Sequence, residues 1–553
     1  MDNLQRLKIK KSRIRSNPLS ISLILLLLLY IFHAWNNIAI LKSDRTPITA
    51  DATFYYQQSI KFFRILSEDN KGFLYIWRAF RDNFRDKDKP PLFAFSIVPW
   101  YFLFGVHPDI ACLANLFFLA VALLSIFFIG RHFSGDYAGL LAAFILTTYP
   151  IVFGLSRWCM PYFATLSMVS LTVLLLIKSK GFSDRRYSLL SGFTAGLTAL
   201  IHMISLFSLF VPYVFFFLQG LSYKDERYRR KDRYVNFLLS GSVLICLILI
   251  WMILSRHTPY TYMAANNNLP RPQTVIHGLA RFMNLFLNAQ LHWFYVSMFI
   301  IAGIVLAYKK FRIFLFLCAW YILHTLIVSF FPFSLTPRFN IASLSAIALI
   351  TSLGIFSMPW RMLRRALVGV IVLFGIFQYF IISYYPFAER YYPYMSPLNR
   401  EVRLIADDQV NHYGLLQANK TYWHQKEILS LLLRDNPKET VTVWIIYGKA
   451  SIRGALLTSI LEEKLPIEIV NAATDDRAQS LMPYSDEELV NDIVTADYIL
   501  TYKDRVYDAS KENWSDFLEK AKAIFYQNID RFREVGRLDM PDGNVMYIYK
   551  NIS

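Results

Sequence analysis

Uninterrupted apolar runs of bilayer length limit what this chain can fold into more than any other feature. The clearest are Leu19–Ile40, Ile110–Ile129, Tyr137–Leu155, Phe163–Ile177, Val235–Leu254, Ile313–Phe331 and Ala366–Ile382. A helix of about 20 apolar residues covers the hydrocarbon core, where water is absent and a segment must satisfy its own backbone hydrogen bonds. Each run is therefore expected to be a membrane-spanning helix. With 553 residues, 55% hydrophobic and 16% aromatic, the composition suits a polytopic membrane protein carrying a polar appendage, not a soluble enzyme.

The formal net charge of +18 raises the question of nucleic acid, and the placement of the charge answers it. Basic residues gather in short segments between apolar runs: Arg6–Arg15, Lys178–Arg186, Lys224–Arg233, Lys309–Arg312 and Arg361–Arg365. Cytoplasmic loops have this pattern, whereas a nucleic-acid site needs one continuous basic face. No nucleic-acid partner is expected. The cysteines Cys112, Cys159, Cys246 and Cys318 lie in or beside apolar runs without metal-ligand spacing, and are expected to be buried small hydrophobes. Leu19–Ile40 is too long for a signal-peptide core and is expected to be an uncleaved first span, with the N-terminus in the cytoplasm.

That orientation puts Asp51 and Lys89 outside. If Pro91–Phe104 crossed, every later basic cluster would lie outside, so this segment is expected to rest in the interface. The remaining spans then alternate. Leu189–Gln219 is too long for one helix and splits near His202 into a hairpin, followed by Val235–Leu254, Trp293–Tyr308, Ile313–Phe331, Phe339–Phe356 and Ala366–Ile382. The total is about eleven transmembrane helices. The expected organisation is a cytoplasmic basic tail (1–18), a membrane domain (19–396) whose first outer loop covers 42–109 and contains interfacial helices, and an extracytoplasmic α/β domain (397–553). In the last, strand-like Val441–Tyr447, Ile467–Val470, Tyr498–Tyr502 and Val545–Tyr549 alternate with helix-like Ser451–Glu462, Asp486–Val494 and Trp514–Ile529. No internal repeat is seen.

The outer loop carries the residues best suited to chemistry. Ala52–Leu66 reads as an amphipathic helix with Phe54, Phe62, Ile65 and Leu66 on its apolar face. Asp51 at its N-terminus is either an N-cap or a general base, and Tyr55 lies one turn on. Lys89-Pro90-Pro91-Leu92 follows. A lysine beside interfacial aromatics ordinarily snorkels to headgroups, as Lys87 is expected to do; the Pro-Pro turn instead holds Lys89 at a defined place, where an ammonium can grip a phosphate. Three further patterns fall at expected outer span ends: Ser156-Arg157 with Pro161-Tyr162, Gly196-Leu197 leading to His202, and Pro337-Arg338-Phe339. Arg338 offers a fork of donors for bidentate phosphate binding, with helix anchoring as the rival reading; a lone His202 at a helix end is more often structural.

In order and sidedness these motifs, an outer-loop acid followed by Tyr, Lys-Pro-Pro-Leu, Ser-Arg…Pro and Pro-Arg-Phe, resemble the GT-C glycosyltransferases. Within them the chain is similar to the protein O-mannosyltransferase and lipid A aminoarabinose transferase branch, over Asp51 to about Gly354. The resemblance implies sugar transfer from a polyprenyl-phosphate-linked donor to a protein, lipid A or other glycolipid acceptor, among membrane lipids at the outer face. It implies Asp51 as base, Lys89 and Arg338 at the donor phosphate, and Tyr55, Arg157, Tyr162 and His202 as substrate-positioning residues. Relatives often have Asp-Glu at Asp51-Ala52, Asp at Tyr162 and Lys at His202. The missing acid at Tyr162 removes a candidate metal ligand, so metal-independent transfer with no cofactor is expected. A lipid-linked anion transporter and an inactive scaffold are the alternatives; a carrier should show internal symmetry and charges at mid-membrane depth. A bacterial inner membrane is the expected location.

Overall fold

The computed structural model describes residues 17–45, 48, 51–67, 72, 78, 81, 89–222, 230–255, 286–330, 337–384, 415, 418, 422–434, 440–446, 456, 459–460, 465–470, 486–502, 515–540 and 543–553. The membrane part runs α1 (Asn17–Ser43), α2 (Asp51–Ser67), α3 (Leu92–Phe104), α4 (Pro108–Leu113), α5 (Asn115–Ser134), α6 (Asp136–Thr148), α7 (Pro150–Ser156), α8 (Pro161–Lys178), α9 (Arg185–Ile201), α10 (Ser205–Ser222) and α11 (Arg230–Ser255). After a π-helix (Phe286–Leu291) come α12 (Trp293–Lys309), α13 (Phe311–Phe330), a 3-10 turn (Pro337–Ser343), α14 (Leu344–Phe356) and α15 (Arg361–Tyr384).

Among the described residues eight helices are long and apolar enough to cross a membrane, and the bent pair α6–α7 makes a ninth. The chain is a multi-pass membrane protein. The 17-residue helix α12 is apolar as well but shorter, so the described residues carry eight or nine membrane-length spans where about eleven were expected from the apolar runs. The breaks have identifiable causes. Pro150 opens α7, so Tyr149 before it is extended and the axis turns by 74°. The hairpin expected near His202 turns there: α9 ends at Ile201, His202 is extended, and α10 begins at Ser205. Helix α3, with 13 residues, is about 20 Å long at 1.5 Å per residue, too short to span the core.

Two expectations are corrected. The buried face of α2 is Ala52, Tyr55, Tyr56, Ser59, Ile60 and Phe62, while Phe54 is half-buried and Leu66 is 37% exposed. The cause is α3, which packs along the Tyr55 side and turns the buried stripe toward it. Of the cysteines, Cys112 and Cys159 are buried, Cys318 is half-buried and Cys246 is exposed on α11, whose Leu238, Ile245, Leu249 and Ile253 also face outward. Cys246 is one of the apolar groups on a face turned away from the bundle. Burial pushes the Cys159 thiol up, which suits an inert packing role.

Residues after α15 form a second unit with its own core: α16 (Gln425–Leu433), β1 (Val441–Ile446), β2 (Ile467–Val470), α17 (Asp486–Thr495), β3 (Tyr498–Tyr502), α18 (Ser515–Gln527), β4 (Phe532–Asp539) and β5 (Val545–Asn551). The sheet order is β2-β1-β3-β5-β4, with β1 parallel to β2 and β3, and β5 antiparallel to β3 and β4. Strand β4, charged and on the sheet edge, was not expected. The helix expected over Ser451–Glu462 and the boundary at Pro397 fall mostly or wholly outside the described residues.

Small residues let the spans approach backbone to backbone. A Cβ on Gly354 of α14 would meet the Ala302 carbonyl of α12, whereas one on Gly369 of α15 would meet nothing within 4 Å. Gly354→Ala is expected to cost about 1–3 kcal/mol through overpacking and to lower the midpoint of thermal unfolding in detergent, while Gly369→Ala leaves it in place. Equal midpoints for the two variants would refute this packing.

Candidate functional site

Helix α2 meets α3 through contacts that advance along both helices together. Tyr55 lies edge-on to Phe93 at 5.4 Å, the Ser59 hydroxyl is 2.9 Å from the Tyr101 hydroxyl, and Phe63 packs on Phe102 at 4.9 Å. The helices therefore run in the same direction, and their N-termini lie at the same end. Lys89 precedes the Pro90-Pro91 turn that opens α3, with Pro91 as the N-cap. Its Nζ stands 4.8 Å from the centre of the Phe54 ring and 5.8 Å from that of Tyr55. Lys89 is half-buried, with its charge over two ring faces.

Position 51 is one turn before Phe54 and Tyr55 on the same helix, so Asp51 begins the column of α2 residues over which Lys89 sits. The Asp51 side chain lies outside the described residues, as does Lys87. One turn beyond the two rings is Gln58, only 4% exposed, and neither its amide oxygen nor its amide nitrogen has a hydrogen-bond partner.

A second cluster forms where three helix ends meet. Tyr162 sits just inside the proline start of α8, His202 caps α9, and the 3-10 turn supplies Arg338 and Phe339. The Arg338 guanidinium carbon is 5.2 Å from the Tyr162 ring centre and 5.4 Å from that of Phe339. The His202 ring is 5.0 Å from Tyr162. From α13, buried His324 holds the turn: its Nε2 lies 3.2 Å from the Phe339 carbonyl and its Nδ1 2.9 Å from the Ser208 hydroxyl of α10. A carbonyl only accepts, so Nε2 carries the proton and Nδ1 takes the hydroxyl hydrogen. The clusters are linked through α3, which packs against both α2 and α9.

Arg157 is taken up elsewhere. It is fully buried; Nε donates to Asn37 Oδ1 at 3.0 Å, one terminal nitrogen donates to the Tyr379 hydroxyl at 2.7 Å and Ser383 Oγ at 3.0 Å, and the other reaches the Leu415 carbonyl at 3.4 Å. The Phe153 and Tyr379 rings lie 5.0 and 5.1 Å from its guanidinium carbon. Since the Leu415 N–H also donates to the Gly154 carbonyl at 2.9 Å, the chain beyond α15 is fastened to the α7 region twice.

No protein-family model matches the chain, and no curated protein matches it in sequence. Solved structures do match its fold. ArnT from Cupriavidus metallidurans, bound to undecaprenyl phosphate, superposes with a TM-score of 0.59 at 11% identity, covering 96% of this chain and 98% of that one. In its apo state the TM-score is 0.57, with the same identity and coverage. AglB from Archaeoglobus fulgidus, in complex with an inhibitory peptide and a dolichol-phosphate, gives a weaker 0.49 at 11% identity, covering 94% of this chain and 74% of that one. This chain has the GT-C fold.

Within that GT-C frame the structure groups Tyr55 with Lys89, groups Tyr162 and His202 with Arg338, and sets Arg157 in a network of its own. Among the described residues no three His, Cys, Asp or Glu side chains come together as a metal site. Sequence reasoning passed over Gln58 and His324. Gln58 had a signal in its spacing, seven residues after Asp51 and thus on the same helical face; His324 had only its isolation in an apolar run. Arg157→Met removes the donors that tie α1, α15 and Leu415 together, and is expected to destabilise the detergent-solubilised protein and speed proteolysis near residue 415. Arg157→Lys is expected to restore little, because an ammonium cannot span the same acceptors. Wild-type proteolysis in both variants would argue against the fastening role.

Proposed function

We propose that this chain is a glycosyltransferase that moves a sugar from a polyprenyl-phosphate donor to an acceptor at the outer membrane face, with inversion at the anomeric carbon. The observation that carries the reading is Lys89, held over Phe54 and Tyr55 at the common N-terminal end of α2 and α3, one turn from position 51. An anion brought there meets an ammonium and the positive ends of two helix dipoles. The first intrahelical bond of α3 runs from Phe95 N–H to the Pro91 carbonyl, so the N–H groups of Leu92, Phe93 and Ala94 point out of the helix start. The related fold of ArnT is seen with undecaprenyl phosphate, a lipid of the class this site suits.

In this reading the polyprenyl tail lies along the spans while Lys89 and Arg338 balance the phosphate charge. Phosphate so held leaves without needing a proton. The acceptor attacks from the opposite face of the sugar, through an oxocarbenium-like state, and Asp51 takes its proton. Tyr55, Tyr162 and His202 bound the sugar and acceptor, and Arg157 acts at one remove by fixing the turn that leads into α8. The N-terminus is in the cytoplasm, and the unit after about residue 397 is on the outer side of what we take to be a bacterial inner membrane.

Transfer is tested by supplying purified protein with radiolabelled polyprenyl-phospho-sugars in vesicles. Asp51→Asn is expected to lower turnover by about 100-fold or more, the range for losing a general base, with donor affinity unchanged. Lys89→Ala is expected to weaken donor binding by about 10-fold or more, as for a lost charged hydrogen bond. Label that crosses the bilayer without changing carrier would replace the transferase with a flippase, and full turnover in Asp51→Asn would end the base assignment.

A further inference from the structure

Gln58 is a polar residue in a place where an apolar one would fold better. It lies on the buried face of α2, 4% exposed, and both polar atoms of its amide lack a protein partner. A buried amide left without hydrogen bonds destabilises a fold, and replacing it by an apolar group of the same shape relieves the penalty. The position needs an explanation outside the folded protein itself.

Helix geometry supplies one. Gln58 follows Phe54 by four residues and Tyr55 by three, so it lies one turn above the two rings that carry Lys89. Asp51 precedes the same rings by three and four residues. At about 100° per residue, positions 51 and 58 differ by only about 20° around the axis. One column of α2 thus runs from the acid, through the aromatic seat of the lysine, to an amide with unused donors. Its neighbours on that face are apolar or already engaged: Ser59 is bonded to Tyr101, and Phe62 packs on Phe95 at 6.0 Å.

We propose that the Gln58 amide is a donor-binding group, giving an N–H to a phosphate oxygen of the lipid-linked donor beside Lys89. The inference rests on the transferase reading for the identity of the ligand. Lysine supplies the charge but, as a point charge on a flexible stem, little direction; a planar amide fixed by burial supplies the orientation. The partner missing from the ligand-free protein is then the substrate. Polarity at position 58 costs stability in the free state and is recovered on binding.

The test uses the full chain in detergent, with undecaprenyl phosphate as the probe, and reads both affinity and the thermal midpoint without ligand. Gln58→Met, close in shape but without donors, is expected to bind the lipid about 10-fold more weakly while its ligand-free midpoint stays level or rises. Gln57→Met, about 100° round the axis from Gln58 and half-buried, should bind as the wild type does. Unchanged affinity in Gln58→Met, alongside loss in Lys89→Ala, would overturn the role of Gln58 and leave the transferase reading in place. A marked fall in the ligand-free midpoint of Gln58→Met would overturn it too, since a structural amide behaves that way. If the wild type fails to bind the lipid, both readings fall together.

Discussion

A cation beside hydrocarbon needs a surface that stabilises charge without water, and in this chain aromatic rings provide it. Lys89 lies over Phe54 and Tyr55, Arg157 between Phe153 and Tyr379, and Arg338 over Tyr162 and Phe339. Each ring face offers an attraction of about 0.5–2 kcal/mol, larger where the pair is desolvated. Because a ring is neutral, it seats the cation and leaves its charge able to act on an anion. The high aromatic content is thus part of how positive charge is kept at defined depths in the bundle.

The seats depend on where helices stop. Pro91 opens α3 next to Lys89, Pro161 opens α8 next to Tyr162, and Pro337 opens the 3-10 turn next to Arg338. At each of these starts proline sits where a helix has no use for the missing N–H, and its fixed φ sets the direction of the chain. A titratable or aromatic side chain one or two residues away is then placed by backbone geometry that packing alone would not impose. His324 adds a second restraint at the 3-10 turn by binding the Phe339 carbonyl beside Arg338.

Apolar length and breaker residues are local signals, and the parts of the fold that depend on them could be read directly. The spans, the turn at His202 and the short helix after Lys89 all follow from them. Facing is not local. Which side of α2 is buried depends on α3 lying against Tyr55, so Leu66 came out exposed and Phe54 half-buried. Likewise Cys246 faces outward because α11 is at the periphery of the bundle. Strand β4 escaped notice because an edge strand carries charges that mask its alternation. At the site, the Pro-Pro turn marked Lys89 as fixed in place but carried no sign of the Phe54 and Tyr55 rings beneath it, and the network of Arg157 joins residues more than a hundred positions apart and leaves no trace in spacing.

The three departures from the pattern that the GT-C resemblance leads one to expect, at Ala52, Tyr162 and His202, have physical sense in this setting. Ala52 is fully buried, on the side of α2 turned into the protein, so a second carboxylate there would have to be desolvated without facing the column of Asp51. Tyr162 stands where the resemblance leads one to expect Asp, and its ring lies under the Arg338 guanidinium. A carboxylate at that distance would pair with Arg338 and neutralise it, whereas a ring positions the arginine and leaves its charge in place. Substituting the acid therefore changes how the cation is held more than whether it is there. His202 packs against the same Tyr162 ring, where the GT-C resemblance leads one to expect a lysine, so Arg338 is the cation of this cluster.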